Sequence, residues 1–233
     1  TNSIDAEDFP FTVWARLMRR TILEQGTGLL HPTPPQGALA LRQAVTAHLR
    51  QFRGMDVTPE QIVIGAGTEV LYSLLVQLLG QDRRYAVEDP GYLRLSKIYE
   101  KNDVATYHIP MDEHGIIPEK LEESGAEILH ITPSHHFPTG IVMPVSRRYE
   151  FLSWASKGEN RYIIEDDYDS EFRYSGRLIM PLFADDASDK VIYLNAFSKT
   201  MVPSLRISYM VLPPRLLERY EQTMSFYSCT VSS

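Results

Sequence analysis

Cysteine is nearly absent from this chain, with one residue, Cys229, in 233. No internal disulfide can form, so packing and polar contacts alone hold the fold, as suits a reducing compartment. Positive charge is also in deficit: 23 lysines and arginines stand against 30 aspartates and glutamates, for a formal net charge of -7. A nucleic-acid surface needs the opposite balance, because duplex affinity rests on cations that neutralise phosphates. The chain by itself is therefore not expected to bind DNA. It lacks an apolar run of about eighteen residues and a charged start leading into an apolar stretch, so neither a membrane span nor a signal peptide is expected. Cytoplasmic location is the resulting expectation. Internal repeats and low-complexity tracts are missing as well.

What is present is an ordinary globular composition, 43% apolar, in which short strand-like runs alternate with helical stretches. That alternation is the signature of a parallel sheet covered by helices. Seven runs read as strands: "QIVIG" from Gln61, "RYAVED" from Arg84, "ATYHIP" from Ala105, "EILHIT" from Glu127, "RYIIEDD" from Arg161, "KVIYLNAFS" from Lys190 and "RISYMVLP" from Arg206. Helices are expected over Gly37 to Phe52, in "TEVLYSLLVQLLG" with Gly80 as its stop, and in "SRRYEFLSWASKG". The link "KTMVPSL" is too short for a crossover helix, so the seventh strand should run against the sixth. The expected fold is α/β, three layers of α/β/α around a mostly parallel seven-stranded sheet with one antiparallel strand. Residues 1–40, with the prolines of "HPTPPQG", read as an extended arm, 41–214 as the main domain, and 215–233 as the start of a helix toward a further domain. The chain reads as a fragment.

Ligands of such sheets sit beyond the carboxyl ends of the strands, and the residues there are chemical ones. "GAGTE" after the first strand offers close backbone approach at Gly65 and Gly67, helix amides and the Thr68 hydroxyl, which suit a phosphate; a purely structural turn is the alternative. It is neither a Walker loop nor a full dinucleotide fingerprint. "EDPGYLR" presents Tyr92 and Arg94 after a turn, where a tyrosine also simply packs. The paired histidines of "TPSHHFPTG" lack further ligands at metal spacing, so packing and hydrogen bonding is the reading there.

"EDDYDSEF" holds five acids between Glu165 and Glu171. A solvated loop accounts for some, but Asp166 follows "YIIE" closely enough to be buried, and a buried carboxylate needs a cationic partner such as a protonated ring nitrogen, with magnesium as the rival. "SK" then ends the sixth strand. A partly desolvated lysine there, Lys199, loses its ammonium form and attacks carbonyl groups, while Arg206 supplies a fixed cation for a phosphate. A phosphate cup, an aromatic, a buried acid, a nucleophilic lysine and an arginine together are what pyridoxal 5'-phosphate requires.

The motifs "HPTPPQGALALRQAVTAHL", "IVIGAGTE", "EDPGYLR", "TPSHHFPTGIVMPVSRR", "YIIEDDYDSEFRY" and "FSKTMVPSLRISYMVLPP", in that order from His31 to Pro214, resemble the fold-type I aminotransferase superfamily. The closest resemblance is to the aminotransferase-like, effector-binding domain of MocR/GabR-type regulators of the GntR family. It implies that Lys199 carries pyridoxal phosphate as a Schiff base, that Asp166 partners the pyridine nitrogen, and that Tyr168 bonds the ring's phenolic oxygen. Tyr92 would stack on the ring. Gly67, Thr68, Ser198 and Arg206 would hold the phosphate, and Arg94 an effector carboxylate.

The resemblance further implies sensing of a small amino compound, a homodimer in the intact protein, and DNA binding through an N-terminal winged-helix domain that these residues do not include. A working aminotransferase is the alternative. Three positions depart from the family pattern. Glu69 stands where glutamine is commoner and must either point away from the phosphate or weaken its binding, while Asn195 replaces a glycine and His136 a glutamine.

Overall fold

Runs such as Ile128–Ile131 and Val191–Ala196 have no alternating polar face, and every residue of both is buried. Only a sheet covered on two sides allows that. The computed structural model describes residues 9–169, 180–197 and 203–232. Its elements begin with α1 (Phe11–Gln25), α2 (Leu39–Arg53), β1 (Ile62–Gly65), α3 (Thr68–Leu79), β2 (Arg84–Asp89), α4 (Leu93–Lys101), β3 (Ala105–Asp112) and β4 (Gly115–Ile116). They continue with α5 (Pro118–Ser124), β5 (Ile128–Ile131), α6 (Val145–Ser156), β6 (Tyr162–Asp166), α7 (Leu182–Asp185), β7 (Val191–Ala196), β8 (Ser208–Val211) and α8 (Pro214–Met224).

The strands form one sheet in the order β1-β8-β7-β6-β5-β2-β3-β4. β8 lies between β1 and β7 and runs antiparallel to both, with Gly65 and Ala196 each opposite Ser208. The pairs β7/β6, β6/β5, β5/β2 and β2/β3 are parallel. The seven expected strands are therefore six in one direction and one reversed, as the short link before β8 requires. The expected count of seven is corrected to eight by β4, two residues that pair antiparallel with the end of β3. Gly115, at φ 108, makes that tight return.

Alternate residues of each strand enter opposite layers. Val63 of β1 packs with Leu71, Leu75 and Tyr99 under α3, α4 and α8, while Ile62 and Ile64 pack with Val45 and Leu49 of α2. Farther along the sheet Leu121, Phe151 and Trp154 of α5 and α6 cover Leu129 and Ile163. α3 buries Leu71, Tyr72, Leu75, Val76, Leu78 and Leu79, one broad apolar face, and stops at Gly80 with φ 117. Each large side chain so buried contributes roughly 1.5–3 kcal/mol.

The extended arm expected at the start is corrected in part, because Phe11–Gln25 is helical. Its sequence contains neither proline nor glycine; the prolines that suggested extension all follow it. None of its residues is buried. Among the described residues no helix is long and apolar enough to cross a membrane.

The chain leaves β2 for β3 on one side, and β5 continues to β6 on the other, so a switch point lies between the adjacent strands β2 and β5. The carboxyl ends of β2, β5, β6 and β7 meet the start of α3 there.

Candidate cofactor and effector site

β1 turns into α3 through Ala66 and Gly67. Gly67 has φ 100, and a Cβ added there would strike the Arg206 guanidinium and lie 2.9 Å from Glu69 Oε2. The helix start is thus a cradle that only glycine leaves open. Arg206 itself takes the left-handed conformation, φ 52, immediately before β8, at a cost of about 1 kcal/mol or more for a non-glycine residue. Ser208 Oγ donates to Gly65 O at 3.0 Å, fixing the approach of the two strands that carry the cradle and the arginine.

Asp166 closes β6 and is 8% exposed, where the sequence placed a buried carboxylate. The Tyr72 hydroxyl donates to its Oδ2, and His130 Nε2 lies 3.7 Å from the same oxygen. Its Oδ1 is buried without a hydrogen-bond partner among the described residues. His130 Nδ1 in turn meets the Tyr99 hydroxyl at 2.6 Å. Burial, and then the Asp166 charge, push the Tyr72 phenol well above its ordinary pKa, so it stays a hydrogen-bond donor.

The neighbouring acids are buried as well, each against its own partner rather than in a solvated loop. Glu165 accepts from the Leu182 and Phe183 amides at 2.8 and 3.0 Å. Asp167 takes Arg53 and the Tyr193 hydroxyl, and Asp169 lies 2.6 Å from His135 Nδ1. Glu171 lies outside the described residues.

A cavity of about 320 Å3 lies over Asp166. Thr68, Tyr92, Arg94, Asp166, Tyr168 and Arg206 line it together, with Gly67 beneath the Arg206 guanidinium. Ser198 and Lys199 lie outside the described residues. Tyr92, 42% exposed, meets Phe137 edge to face at 6.0 Å. The Tyr168 hydroxyl is 3.3 Å from His135 Nδ1.

Several lining groups were not singled out from the sequence. Tyr72 follows Thr68 by one helical turn, and His130 is the one polar residue in β5, signals that were available. Glu88 gave none. Its buried carboxylate accepts from the Thr132 hydroxyl at 2.7 Å and lies 3.4 Å from His136 Nε2. Burial, aided by the Asp166 charge and opposed by Thr132, pushes its pKa up to about 8. Burial also lowers that of His136, so the pair meets as neutral groups near pH 7.

Of the two alternatives for Glu69, it does not point away. Its carboxylate turns toward the cradle and pairs with Arg206 Nη2 through one oxygen and with Arg94 Nη1, at 3.2 Å, through the other. Burial would raise its pKa, but its own backbone amide and Arg206, with Arg94, hold it below the usual carboxylate range. The other two departures are quieter. Asn195 is buried beside Tyr193, its amide 3.3 Å from that hydroxyl, and His136 Nδ1 meets the Thr139 hydroxyl at 2.7 Å. Among the described residues no group of three or more histidine, cysteine or acidic side chains could hold a metal ion.

Pyridoxal phosphate fits these residues. The unpartnered Asp166 Oδ1 suits a ring N–H, and the Gly67 cradle, at a helix N-terminus under a guanidinium, suits a phosphate. The cavity's volume is in the range of small-molecule sites.

Comparison with known proteins gives the same picture. The family model "Aminotransferase class I and II" matches residues 1–233. An HTH-type transcriptional regulator of Bacillus subtilis, YdeL, itself uncharacterized, is 40% identical over 230 residues, 99% of this chain and 50% of its own length. The probable rhizopine catabolism regulatory protein MocR of Rhizobium meliloti is 31% identical over 93% of this chain and 44% of its own. An archaeal alanine:glyoxylate aminotransferase structure superposes with a TM-score of 0.84 at 26% identity, over all of this chain and 60% of that one. The chain thus spans about half the length of the curated relatives it matches.

Proposed function

This chain belongs to the aminotransferase class I and II family, and from that premise we propose that it is the pyridoxal-phosphate-binding, amino-compound-sensing part of a MocR/GabR-type transcription regulator. The observation that carries the reading is a buried carboxylate, Asp166, lining one cavity with Thr68, Tyr92 and Arg206, beside the Gly67 cradle at the α3 N-terminus. When bound, pyridoxal phosphate supplies an aldehyde that captures amines and a ring that accepts electron density. Asp166 would keep a proton on the ring nitrogen, its carboxyl group oriented by the Tyr72 hydroxyl that donates to Oδ2. Arg206, Thr68 and the Gly67 backbone, with Ser198, neutralise the phosphate. Tyr92 would cover the ring, Tyr168 would donate to its phenolic oxygen, Lys199 would bind it covalently, and Arg94 would receive an effector's carboxylate.

The similarity to helix-turn-helix regulators supports a reporting role, in which an amino compound captured at the Lys199 site would shift a conformational equilibrium. DNA would be held by a winged-helix domain elsewhere in the intact protein, since this chain carries a charge of -7. Residues 41–214 act as the cofactor domain, with 215–233 leading to a smaller one. α1, with no buried residue, supports an arm in 1–40 that packs on a second copy.

The test is to add pyridoxal phosphate to the intact protein, reduce with borohydride and map the labelled peptide. Label on Lys199 is expected; label elsewhere, or none in folded protein, overturns the reading. The likeness to an alanine:glyoxylate aminotransferase favours a second reading, turnover of an amino acid. Steady-state conversion of an amino donor with a keto-acid acceptor would establish it, and label on Lys199 without turnover would rule it out.

A further inference from the structure

Arg206 and Arg94, the two arginines that line the cavity among the described residues, share one carboxylate. Glu69 Oε2 pairs with Arg206 Nη2, and Glu69 Oε1 lies 3.2 Å from Arg94 Nη1. Both contacts sit above the Gly67 cradle, where a Cβ would already come within 2.9 Å of Glu69 Oε2. An anion placed on the cradle meets a carboxylate in its own first contact layer, and like charges there oppose each other. We propose that Glu69 is a resident counter-ion for both arginines, which each must release before it takes a ligand's phosphate or carboxylate. The proposal rests on the reading of this cavity as a phosphate-cofactor site.

Two consequences follow from the geometry. A phosphate dianion has the α3 amides as additional donors and displaces the carboxylate from Arg206, whereas a simple carboxylate ligand has less to offer in exchange. Glu69 therefore selects for phosphate and lowers its affinity at once. When Glu69 leaves Arg206 it remains within reach of Arg94, so an effector's carboxylate meets an arginine that is already paired. The phosphate and effector positions are thereby coupled, and the coupling is reciprocal. Because the three groups are partly exposed, with side chains 32%, 49% and 63% accessible for Glu69, Arg206 and Arg94, the effect should shrink as salt is raised.

If Glu69 instead held Arg206 in place for the phosphate, removing its charge would weaken binding. Titration calorimetry on the intact protein separates the two, with inorganic phosphate, pyridoxal phosphate and pyridoxal without phosphate as probes, for wild type, Glu69→Gln and Glu69→Ala. Both variants are expected to bind inorganic phosphate and pyridoxal phosphate about tenfold tighter than wild type, a gain of about 1.4 kcal/mol. Pyridoxal should bind all three alike. Unchanged or weaker phosphate binding in the variants, or equal tightening for pyridoxal, overturns the proposal while wild-type binding of pyridoxal phosphate leaves the cofactor reading intact. No binding of either phosphate compound to any of the three proteins overturns both.

Discussion

Tyr72 reaches Asp166 Oδ2 from the first turns of α3, a contact between residues 94 apart in sequence. A hydrogen bond to a charged group is worth about 1.5–3 kcal/mol when lost from a buried site. Tyr72→Phe should therefore weaken pyridoxal phosphate at least tenfold in a fluorescence titration while leaving the fold intact; equal affinity would mean that Asp166 is oriented by other means. Gly67→Ala tests the cradle. It forces a side chain into φ 100 against the Arg206 guanidinium, so affinity for pyridoxal phosphate should fall sharply and that for pyridoxal much less. An equal loss for both compounds would contradict phosphate binding at the cradle. Asp166 was readable as buried because it closes an apolar run, whereas the direction of Glu69 was not. Its neighbours in sequence put it on the helix's first turn, but the partner that sets its rotamer is Arg206, 137 residues away.

At the scale of elements, β6 and its continuation are tied down by buried charge on the side away from the cavity. Arg53 of α2 pairs with Asp167, both almost fully buried, and Tyr193 of β7 donates to the same carboxylate at 2.7 Å. Arg53→Ala leaves that charge uncompensated and should cost roughly 3–5 kcal/mol in urea denaturation. Arg20→Ala, which breaks only an exposed pair within α1, should leave the midpoint unchanged. The contrast fails if both variants behave alike. The seven longer strands were legible because short clusters of β-branched, aromatic and other apolar residues, bounded by polar or turn residues, lack helical spacing. β4 was not, since two residues cannot display a period. α1 was hidden by the prolines that follow it, which coloured the reading of a segment that contains none past Pro10.

Over the whole molecule, the buried acids give stability a definite pH dependence. Glu88 and Glu165 have pKa values raised to about 8 and about 7, mainly by burial, from an ordinary value of 4.5. Between about pH 4.5 and 8 at Glu88, and between about pH 4.5 and 7 at Glu165, the folded protein binds more protons than the unfolded chain, so their contribution to stability falls as pH rises, by on the order of 1 kcal/mol per pH unit for each. Above about pH 6.5, where the lowered His136 and His48 no longer oppose the trend, melting temperature should decline toward pH 8, and Glu88→Gln should flatten that decline; a wild-type curve that rises through this range would contradict the assignment. The arrangement as a whole sets the Asp166 side chain against the cavity. The most direct measurement is the nitrogen chemical shift of ring-labelled pyridoxal phosphate bound to the intact protein, in wild type and in Asp166→Ala. The account predicts a ring nitrogen that stays protonated in wild type at pH 8 and loses its proton in the variant. A nitrogen unprotonated in wild type, or unchanged by the substitution, would contradict it.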